Sequence, residues 1–179
     1  MRVNLNLKGR RAGDEGQPQF WRVILSKLNK LYNSSILPVG VQLHMPIPFP
    51  SEDWIKAMMA DLNASASYKQ AAEKWEGDFF FIIEPGGTLE KPIILYMDLW
   101  HGNCRDAYEV NGRVPTPVFK LSGPVATWKK VMTKKLDPMQ AMMTGQLRLV
   151  GNMAMVMKNV RAAKELVESC TRIPTEFPI

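Results

Sequence analysis

His101 and Cys104 are the closest this sequence comes to a nucleophile with its base, since an imidazole beside a thiol can take the thiol proton. Their spacing sets both in a turn, and no third residue is marked to orient the imidazole, so a turn role is expected. Asp98 lies inside the apolar run of residues 93–100. It reads either as a buried acid that holds a ligand head group or as an outward residue of an alternating strand, and the outward or rim position is favoured. Gly86-Gly87 lacks the Lys and Ser/Thr that follow in a phosphate loop and reads as a hairpin turn. The glycines of Gly145-x-Leu147-x-Leu149-x-Gly151 bracket a strand, unlike those of a dinucleotide fingerprint. Cys104 and Cys170 have no CxxC spacing and no paired His, so neither a metal site nor a disulfide framework is expected. No cofactor is expected, and the chain is not expected to be an enzyme. Two thiols and the lack of a signal-peptide core point to a reducing, cytoplasmic location.

Methionine carries more information. Seven of the twelve lie between Met132 and Met157. An unbranched, polarizable side chain adapts to ligands of variable shape. Met132, Met139, Met142 and Met143 fall on two adjacent short helices, and Met153, Met155 and Met157 begin the last one. A Met-rich core and a ligand cavity both account for this. Two short helices broken by Lys134-Lys135 resemble a movable flap, which favours the cavity.

The elements that must position these residues fit one domain, for which 179 residues suffice. No run of 18 apolar residues occurs, so no membrane-spanning helix is expected. The net charge of +6 is unevenly placed: residues 1–44 carry seven Lys/Arg and two Asp/Glu, residues 45–179 sixteen and fifteen. The body, with both signs interspersed, reads as a solvated surface, and no nucleic-acid partner is expected. The same shift marks an N-terminal extension, residues 1–44, apart from a domain over 45–179. Residues 1–19 are polar and Gly-containing and read as disordered. Over residues 20–32, Phe20, Trp21, Ile24, Leu25, Leu28 and Leu31 lie opposite Arg22, Lys27 and Lys30. Such a helix can lie on an anionic membrane, giving transient contact, or pack on the body. Met45 opens a segment that resembles a natural start.

Pro46, Pro48 and Pro50 predict a stiff connector, followed by a helix capped at Ser51 that faces Trp54, Ile55, Met58 and Leu62 inward. A second helix is predicted over residues 65–75. Strands follow at 78–84, apolar on both faces and so covered on both, then at 93–100, 105–110 and 118–121. Pro124 starts a helix over 124–134 around Trp128, and Asp137-Pro138 starts a shorter one. Residues 145–150 read as a half-buried strand. A single long final helix, striped from Met153 to Cys170, stops at Pro174. This order gives an α+β domain.

Trp128-Lys129, then Asp137-Pro138-x-x-Ala141, then residues 145–152 (Gly-Gln-Leu-Arg-Leu-Val-Gly-Asn) and an apolar final helix resemble the sterol carrier protein type 2 domain family. Phe49-Pro50-Ser51-Glu52 agrees, and the resemblance covers roughly residues 48–172. It implies a five-stranded sheet covered by helices that enclose an apolar tunnel. It implies non-enzymatic binding and transfer of sterols, fatty acids or fatty acyl thioesters, with no catalytic residue. The ending Glu176-Phe177-Pro178-Ile179 is not a peroxisomal signal, and residues 1–44 have no counterpart.

From strand alternation, the expected lipid-lining residues are Phe80, Ile82, Ile94, Tyr96, Phe119, Leu121, Leu147 and Leu149. Trp128, Met132, Met142, Met143, Met153 and Met157 join them from the helices. Two other functions compete: an enzyme acting on acyl thioesters through Cys104 or His101, and an accessory interaction domain with a filled core and no ligand.

Overall fold

A computed structural model describes residues 45–112 and 115–178. The readings for residues 1–44, the helix over 20–32 among them, lie outside it. Ile47–Pro48 forms a short strand, β1, where a connector was expected. The Ser51 hydroxyl then accepts from the Trp54 N–H at 3.2 Å, and Glu52 and Asp53 occupy the positive end of helix α1 (Glu52–Ala64). Its buried residues are the expected Trp54, Ile55, Met58 and Leu62. Ser65 caps α2 (Ala66–Ala71), which ends before the predicted residue 75 because the chain turns to seat the Trp75 ring, whose Nε1 donates to Gly77 O at 3.0 Å.

Five strands follow: β2 (Glu76–Glu84), β3 (Ile93–Trp100), β4 (Asn103–Glu109), β5 (Phe119–Pro124) and β6 (Arg148–Val150), in the order β4-β3-β2-β5-β6. Neighbours are antiparallel except β2 and β5, so the sheet is mixed. Six helices occur among the described residues; after α1 and α2 come α3 (Val125–Met132), α4 (Pro138–Met143), α5 (Met153–Lys158) and α6 (Val160–Arg172). Strand β7 (Thr175–Glu176) pairs in parallel with β1. The fold is α+β, as expected.

Register sorts the sheet into two faces. Phe79 pairs with Met97 and Phe119, and Phe81 with Leu95 and Leu121; these join Ile83 and Leu99 in one core with the apolar sides of the helices. Asp78, Phe80, Ile82 and Glu84 occupy the opposite parity, as do Ile94, Tyr96 and Asp98 on β3. That outer face is part aromatic: Phe80 is buried, with Tyr96 edge-on at 5.9 Å. It is part charged: Asp98 binds Arg105 through two hydrogen bonds of 2.9 Å.

Two predicted elements are shorter or divided. Residues 145–147 form the turn after α4, not a strand: Gly145 has φ +72° and the Leu147 N–H returns to Ala141 O at 2.9 Å. The long final helix is two helices, because Asn159 leaves helical geometry (φ −110°, ψ 31°) while its side-chain amide donates to Met155 O at 2.9 Å. An apolar stripe that continues across Asn159 hides this break. Farther along, Asp61 of α1 receives Arg172 Nε at 2.9 Å and the buried Ser169 hydroxyl at 2.7 Å, which ties α6 to α1. The Arg172 guanidinium holds the Asp61 carboxyl below its ordinary range.

Candidate functional site

Between the inner sheet face and the helices lies an apolar cavity of about 100 Å³. One wall comes from α1 and the sheet: Trp54, Ile55, Met58, Phe79, Phe81, Ile83, Leu95 and Leu121. Trp128 extends it from α3. Its indole Nε1 donates to Gly123 O at 3.0 Å and Ile82 O at 3.3 Å, so the ring lies against the sheet with its one polar atom paired. Leu149 of β6 extends the sheet wall beside its register partner Leu121, and the facing wall comes from the segment after α3: Pro138, Met139 and Met142 on α4, Leu147 just beyond it, and Val156 on α5. Asp137 sets α4, its carboxylate accepting from the Met139 and Gln140 N–H groups at 2.8 and 3.1 Å. Leu166, Val167 and Cys170 of α6 close the remainder. The lining offers almost no polar atom, so what it can hold is apolar surface.

Of the fourteen residues expected to line a cavity, Leu121, Trp128, Met132, Met142, Leu147 and Leu149 do so. Phe119 is fully buried but packs between Trp75 and Phe79 instead. Phe80, Ile82, Ile94 and Tyr96 are corrected: they sit on the outer sheet face, and a change of one in parity moves every side chain of a strand to the other side. Phe79, Phe81, Ile83 and Leu95 take their place. The signal was present in the sequence. Asp78 and Glu84 share the parity of Phe80 and Ile82, and Asp98 that of Ile94 and Tyr96, and charges mark the side away from an apolar core. Met143, Met153 and Met157 are also corrected. They are 73 %, 37 % and 43 % exposed, because each short helix has only one buried side, taken by Met139, Ala141 and Met142 on α4 and by Val156 on α5.

His101 and Cys104 do not meet as a nucleophile and base. His101 stands in the β3–β4 turn, Nδ1 2.7 Å from Glu73 O and Nε2 3.0 Å from a Glu76 carboxylate oxygen. Cys104 lies in β4, not in the turn; its thiol donates to Asp106 O at 3.4 Å, and burial raises its pKa to about 12. Burial likewise raises the Cys170 thiol, at the cavity wall, to about 12. Asp98 is on the outer face with Arg105, away from the cavity. Among the described residues no group of three or more His, Cys, Asp and Glu is placed to hold a metal ion, and no helix is long and apolar enough to cross a membrane.

The family model of the SCP-2 sterol transfer family matches residues 52–164. The chain belongs to that family. A crystal structure of sterol carrier protein 2 is 34% identical, with a TM-score of 0.63 over 69% of this chain and 97% of its own. A solution structure of a conserved hypothetical protein of Thermus thermophilus, described as possibly a sterol carrier protein, is 32% identical, with a TM-score of 0.64 over 76% and 93%. No curated protein matches the chain. The family match takes in α1, the sheet and α3 to α5, and so nearly all of both cavity walls.

Proposed function

We propose that this member of the SCP-2 sterol transfer family binds a lipid (a sterol, a fatty acid or a fatty acyl thioester) and transfers it without catalysing a reaction. The observation that carries the reading is the cavity, whose wall is apolar on every side. A ligand burying roughly 300 Å² of apolar surface gains about 7 kcal/mol at about 25 cal/mol per Å², before ordering costs. At about 100 Å³ the cavity is smaller than the engineered cavity of about 150 Å³ that admits benzene. A lipid therefore enters by moving a wall, and the cavity becomes the expected tunnel only on loading. The wall of α4 and α5 is the one that moves. Two of its helices have six residues each, and its methionines can repack around a guest.

Residues 45–179 form the lipid-binding domain of this reading and residues 1–44 its extension, with transient membrane contact during loading. The two free thiols suit a reducing, cytoplasmic setting. The enzyme alternative has little to work with, because the Cys104 thiol is held protonated and His101 is engaged by Glu73 and Glu76. The small volume favours one other reading, an interaction domain with a filled core. Native mass spectrometry of the purified chain, followed by titration with a fluorescent fatty acid, separates the two. Co-purified lipid, or saturable one-to-one binding at micromolar or lower concentration, supports the carrier. Neither would leave the filled core.

A further inference from the structure

An open groove of about 350 Å³ lies between the α3–α4 turn and α6. Local sequence builds both of its banks. Helix α3 ends where Lys134 turns left-handed, φ +58°, and the Lys134 N–H returns to Val131 O at 3.0 Å. That turn delivers Lys134, Leu136 and Pro138 to one bank. On α6, Lys164 is followed three and four positions later by Val167 and Glu168, so one side of the helix forms the other bank. Pro138 and Val167 line the apolar cavity as well, so cavity and groove meet at these two side chains. The Lys134–Glu168 ion pair joins the banks across the seam.

The groove carries charge where the cavity carries none, and its carboxylates are taken. Asp137 accepts from the Met139 and Gln140 N–H groups, Glu165 from the Ser67 hydroxyl at 2.6 Å, and Glu168 pairs with Lys134. Lys164 is exposed and has no ion-pair partner among the described residues. The uncommitted charge is therefore positive. The Lys134–Glu168 pair is itself about half exposed on both sides, so exchanging Glu168 for another carboxylate loses little. An apolar cavity that meets a free cation fits an amphiphile with its tail inside and an anionic head outside. A sterol ends in a neutral hydroxyl, and an acyl thioester is uncharged where its chain ends. A fatty acid carries a carboxylate at that atom.

We propose that this groove is the mouth of the lipid cavity, and that Lys164 and Lys134 hold the carboxylate of a fatty acid there. Glu168 gives up Lys134 as the ligand arrives. The proposal rests on the lipid-carrier reading and narrows it from three kinds of ligand to the one with an anionic head. It also places the opening. The seam runs between α4, on the wall that yields, and α6, which Asp61 and Arg172 tie to α1.

The test is isothermal titration calorimetry of the full chain with dodecanoate and with dodecanol, which share a chain and differ in head charge. At pH 8 the carboxylate is ionised and the lysines are charged. Wild type is expected to bind dodecanoate more tightly. Lys164→Gln and Lys134→Gln are each expected to lower the ratio of dodecanoate to dodecanol affinity about threefold to fivefold. Glu168→Gln frees Lys134 and is expected to raise that ratio about threefold. An ion pair that only latches the seam would shift both ligands alike and leave the ratio fixed in every variant, which overturns the proposal. Equal affinity of wild type for the two ligands overturns it as well, and in both cases the carrier reading stands. A wild-type chain that binds neither ligand sinks the carrier reading and the head site together.

Discussion

The two walls of the cavity are built differently. On the sheet side, strand hydrogen bonds fix the backbone, and Trp75, Phe79, Phe81 and Phe119 stack with centroids 4.9 to 5.6 Å apart. Trp128 is fastened by its indole N–H to two backbone carbonyls, and α1 is tied to α6 through Asp61 and Arg172. On the other side, α4 and α5 are six residues each, and the inward side chains include Met139 and Met142. Aromatic rings have few rotamers to lose and hold their shape; methionine has three rotatable bonds and changes it at little cost. The difference teaches how a cavity too small for its ligand can still serve one: rigidity on one side gives the adaptable side something to close against.

The largest effect should come from the fixed wall. Trp128→Ala removes a buried ring and leaves Gly123 O without its donor, and is expected to cost about 3–5 kcal/mol in denaturant unfolding. A loss near zero would mean that Trp128 does not hold the wall. Met142→Asp on the yielding wall is expected to abolish fluorescent fatty-acid binding while costing about 1–3 kcal/mol and leaving the circular dichroism spectrum native. Unchanged affinity would remove α4 from the binding site.

Asp61→Asn sharpens the comparison through pH. The folded carboxyl is depressed by Arg172, so its contribution is present above the unfolded value near 3.8 and is lost as pH falls through the lower folded value. The variant should be about 1–2 kcal/mol less stable than wild type at neutral pH. That gap should close below pH 3.8, as read from urea midpoints across pH. A gap that persists in acid would assign the loss to packing. The smallest effect belongs to the outer sheet face. Tyr96→Phe removes the 3.1 Å hydrogen bond to Asp78 and should cost about 0.5–1.5 kcal/mol, with fatty-acid affinity unaltered. Weakened affinity would put the outer face back among the ligand contacts.

Fold class, the five-strand core and the helix caps were legible because each has a local cause. Ser51, Ser65 and Asp137 each stand before a helix with a side-chain oxygen for its free N–H groups. The cavity was half legible. Helical residues such as Trp128 and Met142 follow from spacing, whereas β2 is apolar at both parities in its middle, and only Glu76, Asp78 and Glu84 toward its ends show which parity faces water. On β5 the alternation of Lys120 and Ser122 with Phe119 and Leu121 leaves no such ambiguity. The pairing of β1 with β7 could not be read, since it joins two-residue segments more than a hundred positions apart with no pattern in either. The break at Asn159 was missed because that residue replaces the lost backbone bonding with its own side chain.

The central claim is that a lipid enters by displacing the methionine wall against a fixed sheet. Amide hydrogen exchange of the full chain, with and without saturating fatty acid, tests it most directly. Ligand is expected to slow exchange over residues 138–158, with β2 and β3 slow in both states. Unchanged exchange throughout residues 138–158, or protection confined to other elements, would contradict the account.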